Sequence, residues 1–236
     1  MGVHGLSLKI THKGRCFPVS PLEKMDAFFN TRAEIYDHHM LNDLGLDPFY
    51  KEIAAEFQRL PSPKTLLDLG CGTGLELERL FEQFPQLQVT GVDLSQGMLD
   101  LMQNKFPNKN LNLICGSYFD VPLGEACYDC AISTYSLHHF TREQKQELYT
   151  KICRALRPAG AFILGDYTVK TLQEEDHYLA ESAKRNEEAG LYQGSCHYDT
   201  PFTAETETKL LLAAGFSDVR IVHKWDSTTI ITAKKK

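Results

Sequence analysis

Positive charge is in short supply in this chain. Lysine and arginine total 25 against 31 aspartates and glutamates, a formal net charge of −6, and no basic run occurs apart from the terminal Lys234-Lys235-Lys236. A protein that grips nucleic acid or anionic lipid usually presents a basic face, so both partners are disfavoured. No apolar run approaches the ~20 residues of a membrane span. Met1 to Ile10 lacks the basic-then-apolar layout of a secretory leader. The seven cysteines (16, 71, 115, 127, 130, 153 and 196) are odd in number and scattered, which points to free thiols in a reducing cytoplasm. Cys127-Tyr128-Asp129-Cys130 forms a C-x-x-C, but no second Cys/His pair lies nearby, so neither zinc nor redox chemistry is expected of it; Cys130 instead opens an apolar strand pattern. Repeats, low-complexity segments and any catalytic triad are also missing. The 236 residues, 42% hydrophobic and 24% charged, suit one soluble α/β domain with a single large core.

Residues 1–20 show no period and read as an extension. From Pro21 to about Leu60 the pattern is helical: Phe49, Ile53 and Phe57 recur at four-residue spacing, and Asp47-Pro48 starts a helix with proline at its first position. Pro61-Ser62-Pro63 breaks the chain. Strands and helices then alternate. Strands are predicted at 65–69, 87–92, 111–115, 128–133, 161–165, 219–223 and 228–232, and helices at 74–84, 95–106, 141–156, 171–190 and 203–214. This alternation predicts a parallel sheet with helices on both faces. The last two strands are joined too closely for a parallel crossover and should pair antiparallel.

The strongest chemical signal is Asp68-Leu69-Gly70-Cys71-Gly72-Thr73-Gly74, where the first strand of the alternating region meets its helix. Glycines there let the backbone turn sharply and come close to a ligand. Ligands of open parallel sheets bind at this end of the strands. Asp93 closes the next strand, 23 residues after Gly70, at the distance of an acid that accepts from ribose hydroxyls. A dinucleotide site would read G-x-G-x-x-G, with the helix aimed at a pyrophosphate. Here the spacing is G-x-G-x-G and Leu75 follows, so a nucleoside carrying an amino acid fits better, with Asp68 near its ammonium.

On these residues the chain resembles the class I S-adenosylmethionine-dependent methyltransferases, over about residues 25–233. Val92 to Leu99 resembles the family's second-strand segment, with Leu94 and Met98 beside the adenine. Tyr128 to Ser133 followed by Leu137-His138-His139 resembles its fourth-strand motif, and Leu156-Arg157-Pro158-Ala159-Gly160 its L-K/R-P-G-G turn. Ala214-Gly215-Phe216 resembles the usual lead into the sixth strand. The resemblance implies a Rossmann-like sheet of seven strands, mostly parallel with an antiparallel last strand, and S-adenosyl-L-methionine as cofactor. It implies cofactor contacts from Asp68, Gly70, Cys71, Gly72, Gly74, Asp93, Leu94, Met98, Ser117, Tyr118 and Ser133. Ser117 stands where the family often has an aspartate facing the adenine amino group; Tyr118 or a backbone carbonyl is the alternative. Thr31 to His39 resembles a lid helix that would bring Tyr36 over the sulfonium or carboxylate and Arg32 to the carboxylate.

Methyl transfer from a sulfonium is an in-line displacement that depends chiefly on holding the acceptor close. A base is required only for a protonated, weakly acidic nucleophile. His138 is the candidate base. Tyr135, His138, Asp166, Tyr167 and Arg185 are candidate acceptor contacts, and no metal ligands are assigned. The organisation expected is a helical lid and extension at 1–60 on a core at 61–236, with an inserted lid at about 167–202. The acceptor is expected to be a small molecule, and the protein a monomer or homodimer. Two other readings stand beside methyl transfer. The inserted helix after the fifth strand and the ending Thr203 to Ala233 loosely resemble carboxy-S-adenosylmethionine synthase, which modifies the methyl of the cofactor itself and needs a cation for the new carboxylate; Arg185 is the only arginine in the insertion. A non-catalytic S-adenosylmethionine-binding protein is the third.

Overall fold

The computed structural model describes residues 8–11, 15–18, 23–190 and 197–236. Tyr192 and Cys196, both in the insertion, fall outside them. The first strands are β1 (Leu8–Thr11) and β2 (Arg15–Pro18), an antiparallel hairpin. Strands of four residues are too short to display a period, which is why the sequence shows only an extension there. Helices α1 (Met25–His38) and α2 (Asp47–Gln58) follow, separated by a π-helical turn at His39–Asp43.

The main sheet contains β3 (Thr65–Leu69), β4 (Gln88–Asp93), β5 (Asn110–Cys115), β6 (Tyr128–Thr134), β7 (Leu156–Val169), β9 (Phe216–Lys224) and β10 (Thr228–Lys235). Their order is β5-β4-β3-β6-β7-β10-β9, and the two-residue β8 (Phe202–Thr203) pairs with the end of β7. The strands from β5 through β7 pair parallel, whereas β10 runs antiparallel to both β7 and β9. This is the Rossmann-like mixed sheet expected. β7 is much longer than the predicted 161–165 because three partners hold it: β6, β10 and β8.

The connecting helices are α3 (Leu77–Gln83), α4 (Gln96–Lys105), α5 (Arg142–Ala155), α6 (Leu172–Ala189) and α7 (Ala204–Ala213). Their starts are chemically marked. Ser95 caps α4 by accepting from Met98 N, and Thr141 with Gln144 and Thr171 with Glu174 form capping boxes on α5 and α6. Alternation along the strands divides the core into two layers. Leu67, Leu69, Phe162, Leu164 and Ile231 pack toward α5 and α7. Leu66, Cys130, Ile132, Ile163 and Ile230 pack toward α2 and α3. Cys130 is therefore a core residue, and the thiols of Cys127 and Cys130 are both free. In the first layer Lys145 and Glu207, both fully buried, form an ion pair that Tyr149 completes by donating to Glu207 Oε2 at 2.5 Å.

Candidate functional site

The carboxyl ends of β3, β4 and β6 meet under α1. Gly70, at φ +70°, lets the chain turn beneath the β6 loop; a Cβ there would collide with Ser136 Oγ. Gly72, at φ +50°, faces open space except for Tyr36 Cε1 at 3.9 Å. Only glycine adopts this conformation freely, and here it leaves room beside the backbone. The Asp93 carboxylate bridges the two halves of the site: Gly72 N donates to Oδ2 at 2.9 Å and Ser95 N to Oδ1 at 2.8 Å. Burial raises its pKa, and the same two N–H groups oppose the rise.

Beneath the turn, Asp68 is fully buried and neither carboxylate oxygen has a hydrogen-bond partner among the described residues. Its neighbour Glu76 accepts from Thr134 Oγ1 at 3.1 Å. Two carboxyls can bond to each other only when one carries a proton, and burial together with Glu76 drives Asp68 well above the usual carboxylate range. An unpaired acid beneath an open glycine turn, next to a ribose-type acid, fits an S-adenosylmethionine-like ligand with an ammonium end.

Gly70, Gly72, Asp93, Leu94, Met98 and Tyr118 line a pocket of about 50 Å³. It shares Phe29, Tyr36, Tyr135 and His139 with a larger cavity of about 430 Å³. Phe29 and Tyr36, carried by α1, cover the pocket. α1 is latched to the site by Asn30, whose Oδ1 accepts from Ser95 Oγ at 2.7 Å and Gly97 N at 3.0 Å.

The larger cavity is bounded by His138, on the 3-10 turn Leu137–His139, and by His197 and Asp199 from the end of the insertion. Asp166, at the sheet end of β7, holds His138: its Oδ1 lies 2.6 Å from Nδ1 and its Oδ2 accepts from Leu137 N at 3.1 Å. With the Nδ1 proton donated to Asp166, Nε2 is left as a lone pair. Burial pushes the His138 pKa down, but the Asp166 carboxylate outweighs it and the net shift is upward. Its neighbours go the other way. Burial and the nearby His138 hold His139 far below the usual imidazole range, and burial takes His197 to about 4. His138 is thus more readily protonated than His139 and His197 beside it.

Of the predicted residues, Tyr36, Gly70, Gly72, Asp93, Leu94, Met98, Tyr118 and Tyr135 come together at the pocket. Arg32 lies in the larger cavity, bound to Glu23 at 3.0 Å and stacked over Phe28 at 3.8 Å. Ser133 Oγ donates to Leu69 O, and Cys71 packs under Gly91. Gly74 has Phe106 against it, and Ser117 Oγ accepts from Phe119 N. Tyr167 hydroxyl pairs with Tyr178 at 3.3 Å, and Arg185 stacks on Tyr198 at 4.9 Å. These last six residues do not line the pocket or the cavity. Sequence reasoning passed over Phe29, Ser136, Glu76 and Asp199. Only Glu76, an acid two residues past the last glycine, left a visible signal.

Residues 66–160 match the methyltransferase domain family. The malonyl-[acyl-carrier protein] O-methyltransferase of Priestia megaterium is 30% identical over 190 residues, 75% of this chain but only 62% of that protein. The carboxy-S-adenosyl-L-methionine synthase of Helicobacter pylori is 28% identical over 240 residues, covering 96% of this chain and 97% of its own. Among solved structures, human N-acetylserotonin methyltransferase in complex with SAM superposes with a TM-score of 0.60 at 18% identity, over 88% of this chain and 55% of that one. An O-methyltransferase family protein from Burkholderia thailandensis gives 0.68 at 15% identity, over 90% of this chain and 63% of that one. At such identities the superpositions show the fold alone. No described helix is long and apolar enough to cross a membrane. Residues 66–160 thus match a methyltransferase domain, and the sheet order and the glycine turn with its trailing acid accord with that match.

Proposed function

We propose that the protein transfers a methyl group from S-adenosylmethionine to a protonated oxygen of a small acceptor held in the cavity of about 430 Å³. The observation that carries this reading is the buried His138–Asp166 pair on the cavity wall. The cofactor supplies an electrophilic methyl group. Asp93 is suited to hold the ribose hydroxyls and Gly72 to admit the backbone side of the ligand, while Leu94 and Met98 offer apolar surface to its base. His138 Nε2 takes the acceptor proton, and Asp166 keeps the proton on Nδ1 so that this lone pair stays available. The helix-bearing insertion at 167–202 contributes His197 and Asp199 to the cavity, which supports a role in enclosing the acceptor. With α1 it would exclude water from the sulfonium. The five free thiols among the described residues suit a reducing cytoplasm.

The reading is tested by incubating the protein with S-adenosylmethionine and a panel of phenols, hydroxy acids and carboxylates while following S-adenosylhomocysteine. Release of S-adenosylhomocysteine that depends on one acceptor class and collapses in His138→Gln supports it. Acceptor-independent behaviour, or an unaffected His138→Gln, refutes it.

A second reading is favoured by one observation: relatives named carboxy-S-adenosyl-L-methionine synthase match 87–96% of this chain, far beyond the methyltransferase domain itself. Under that reading the cofactor itself gains a carboxyl group, and a cation such as Arg32 or Arg185 would receive it. Both arginines are already engaged, Arg32 by Glu23 and Arg185 on the Tyr198 ring. Mass spectrometry of the recovered cofactor separates the two readings, because only the second leaves a heavier sulfonium.

A further inference from the structure

We propose that His138, His139 and Asp199 bind a divalent transition-metal cation of the zinc class. The proposal does not rest on the methyl-transfer reading.

One ligand atom from each of the three residues lies within 4.8 Å of the other two. His138 Nε2 is 3.7 Å and His139 Nδ1 3.5 Å from the same oxygen, Asp199 Oδ1. Both distances are too long for good hydrogen bonds. They are close to the separation of about 3.3–3.4 Å that ligands at about 2.0–2.1 Å from a tetrahedral zinc ion have from one another. Two imidazoles and a carboxylate facing a cavity leave a fourth position for water or another small ligand.

Two further observations support a cation here. His138 is oriented as metal-bound histidines usually are, with its second nitrogen donating to a carboxylate, Asp166, at 2.6 Å. His139 is 3% exposed, and its Nε2 has no hydrogen-bond partner among the described residues. Its Nδ1 reaches Tyr198 O only at 3.3 Å. Moving the proton to Nε2 gives up that long contact and turns Nδ1, already facing Asp199, into a ligand. Asp166 and Asp199 together balance the charge of a divalent ion. The nearby cations Arg32 and Lys145 are neutralised by Glu23 and Glu207.

A cation on His138 Nε2 occupies the lone pair that would take a proton from an acceptor. Under the methyl-transfer reading zinc would therefore inhibit, and proton transfer would belong to the metal-free protein.

The test uses the metal-stripped protein without cofactor or acceptor, so its result stands apart from the fate of the methyl-transfer reading. Zinc is titrated by calorimetry, and cobalt by absorption, for wild type, Asp199→Asn and His139→Phe. Thermal melts establish that both variants are folded. The expected result is one bound ion per chain, with affinity falling at least about tenfold in each variant and a cobalt spectrum free of thiolate charge-transfer bands. Absence of binding by the wild type, equal binding by both folded variants, or thiolate bands would overturn the proposal.

Discussion

Replacing Asp93 by alanine should weaken S-adenosylhomocysteine binding by about 10- to 150-fold. Each carboxylate oxygen of Asp93 already accepts one backbone N–H, from Gly72 and from Ser95. Each keeps a second lone-pair site, and Asp93 lines the pocket. A hydrogen bond to a charged acceptor is worth about 1.5–3 kcal/mol, which sets that range for the loss of a ribose contact. The substitution also leaves Gly72 N and Ser95 N without an acceptor, so some stability will be lost as well. A thermal melt run beside the calorimetric titration separates the two effects. Protonation imitates the substitution: burial raises the Asp93 pKa against the pull of the two N–H groups, so affinity should fall on acidification earlier than for an exposed aspartate. A folded Asp93→Ala protein that binds within twofold of wild type would refute the assignment of this acid to the ribose.

Three other substitutions probe the remaining chemistry. Asp166→Asn removes the carboxylate that raises His138, leaving burial to lower it. The acid limb of the rate–pH profile, set above pH 6.5 in the wild type, should move to lower pH while the plateau falls about 10²- to 10⁴-fold; an unmoved limb counts against His138 as base. Glu207→Ala strands the buried Lys145 ammonium and should cost about 3–5 kcal/mol in urea unfolding, whereas a loss below about 1 kcal/mol would mean that Lys145 finds water or another acceptor. His197 titrates at about 4 because burial favours its neutral form. The unfolded chain therefore binds the proton first as pH drops, and up to about 3 kcal/mol of stability is present above pH 6.5 and lost between 6.5 and 4. Urea midpoints at the two ends should differ less in His197→Gln than in wild type; equal differences would show that His197 is not the group responsible.

Local pattern was enough for the frame of the molecule. Thr65 to Leu69 alternates between two buried faces and sits in the middle of a sheet, so its apolar run is unbroken and its limits are read residue for residue. The start of α4 was equally plain, because Ser95 carries the capping chemistry in its own side chain. Partnership was not legible. Asp166 and His138 are 28 residues apart, and what joins them is the parallel pairing of β6 with β7. Asp199 reaches the histidines only after the chain has travelled out along α6 and back. Arg32 looked available for a carboxylate because nothing in a helical period reveals that Glu23, nine residues earlier, already holds it. The acid beneath the glycine turn was visible in Asp68, but its closeness to Glu76, which helps raise its pKa, depends on the turn folding back over β3.

The Asn30 latch has a consequence for how readily the site opens. α1 is fastened to the first turn of α4, whose leading residues follow directly on Asp93, so the helix that covers the pocket and the acid that would grip a ligand share one anchorage. Gly97 is the loose stitch in that seam: a Cβ there would stand 3.2 Å from Asn30 Oδ1 and 3.8 Å from Ala33 Cβ. A methyl group at this position would loosen the cover without altering any atom that lines the pocket. Residue 97 thus bears on how firmly the cover is held, while the side chains that would touch a ligand stay as they are.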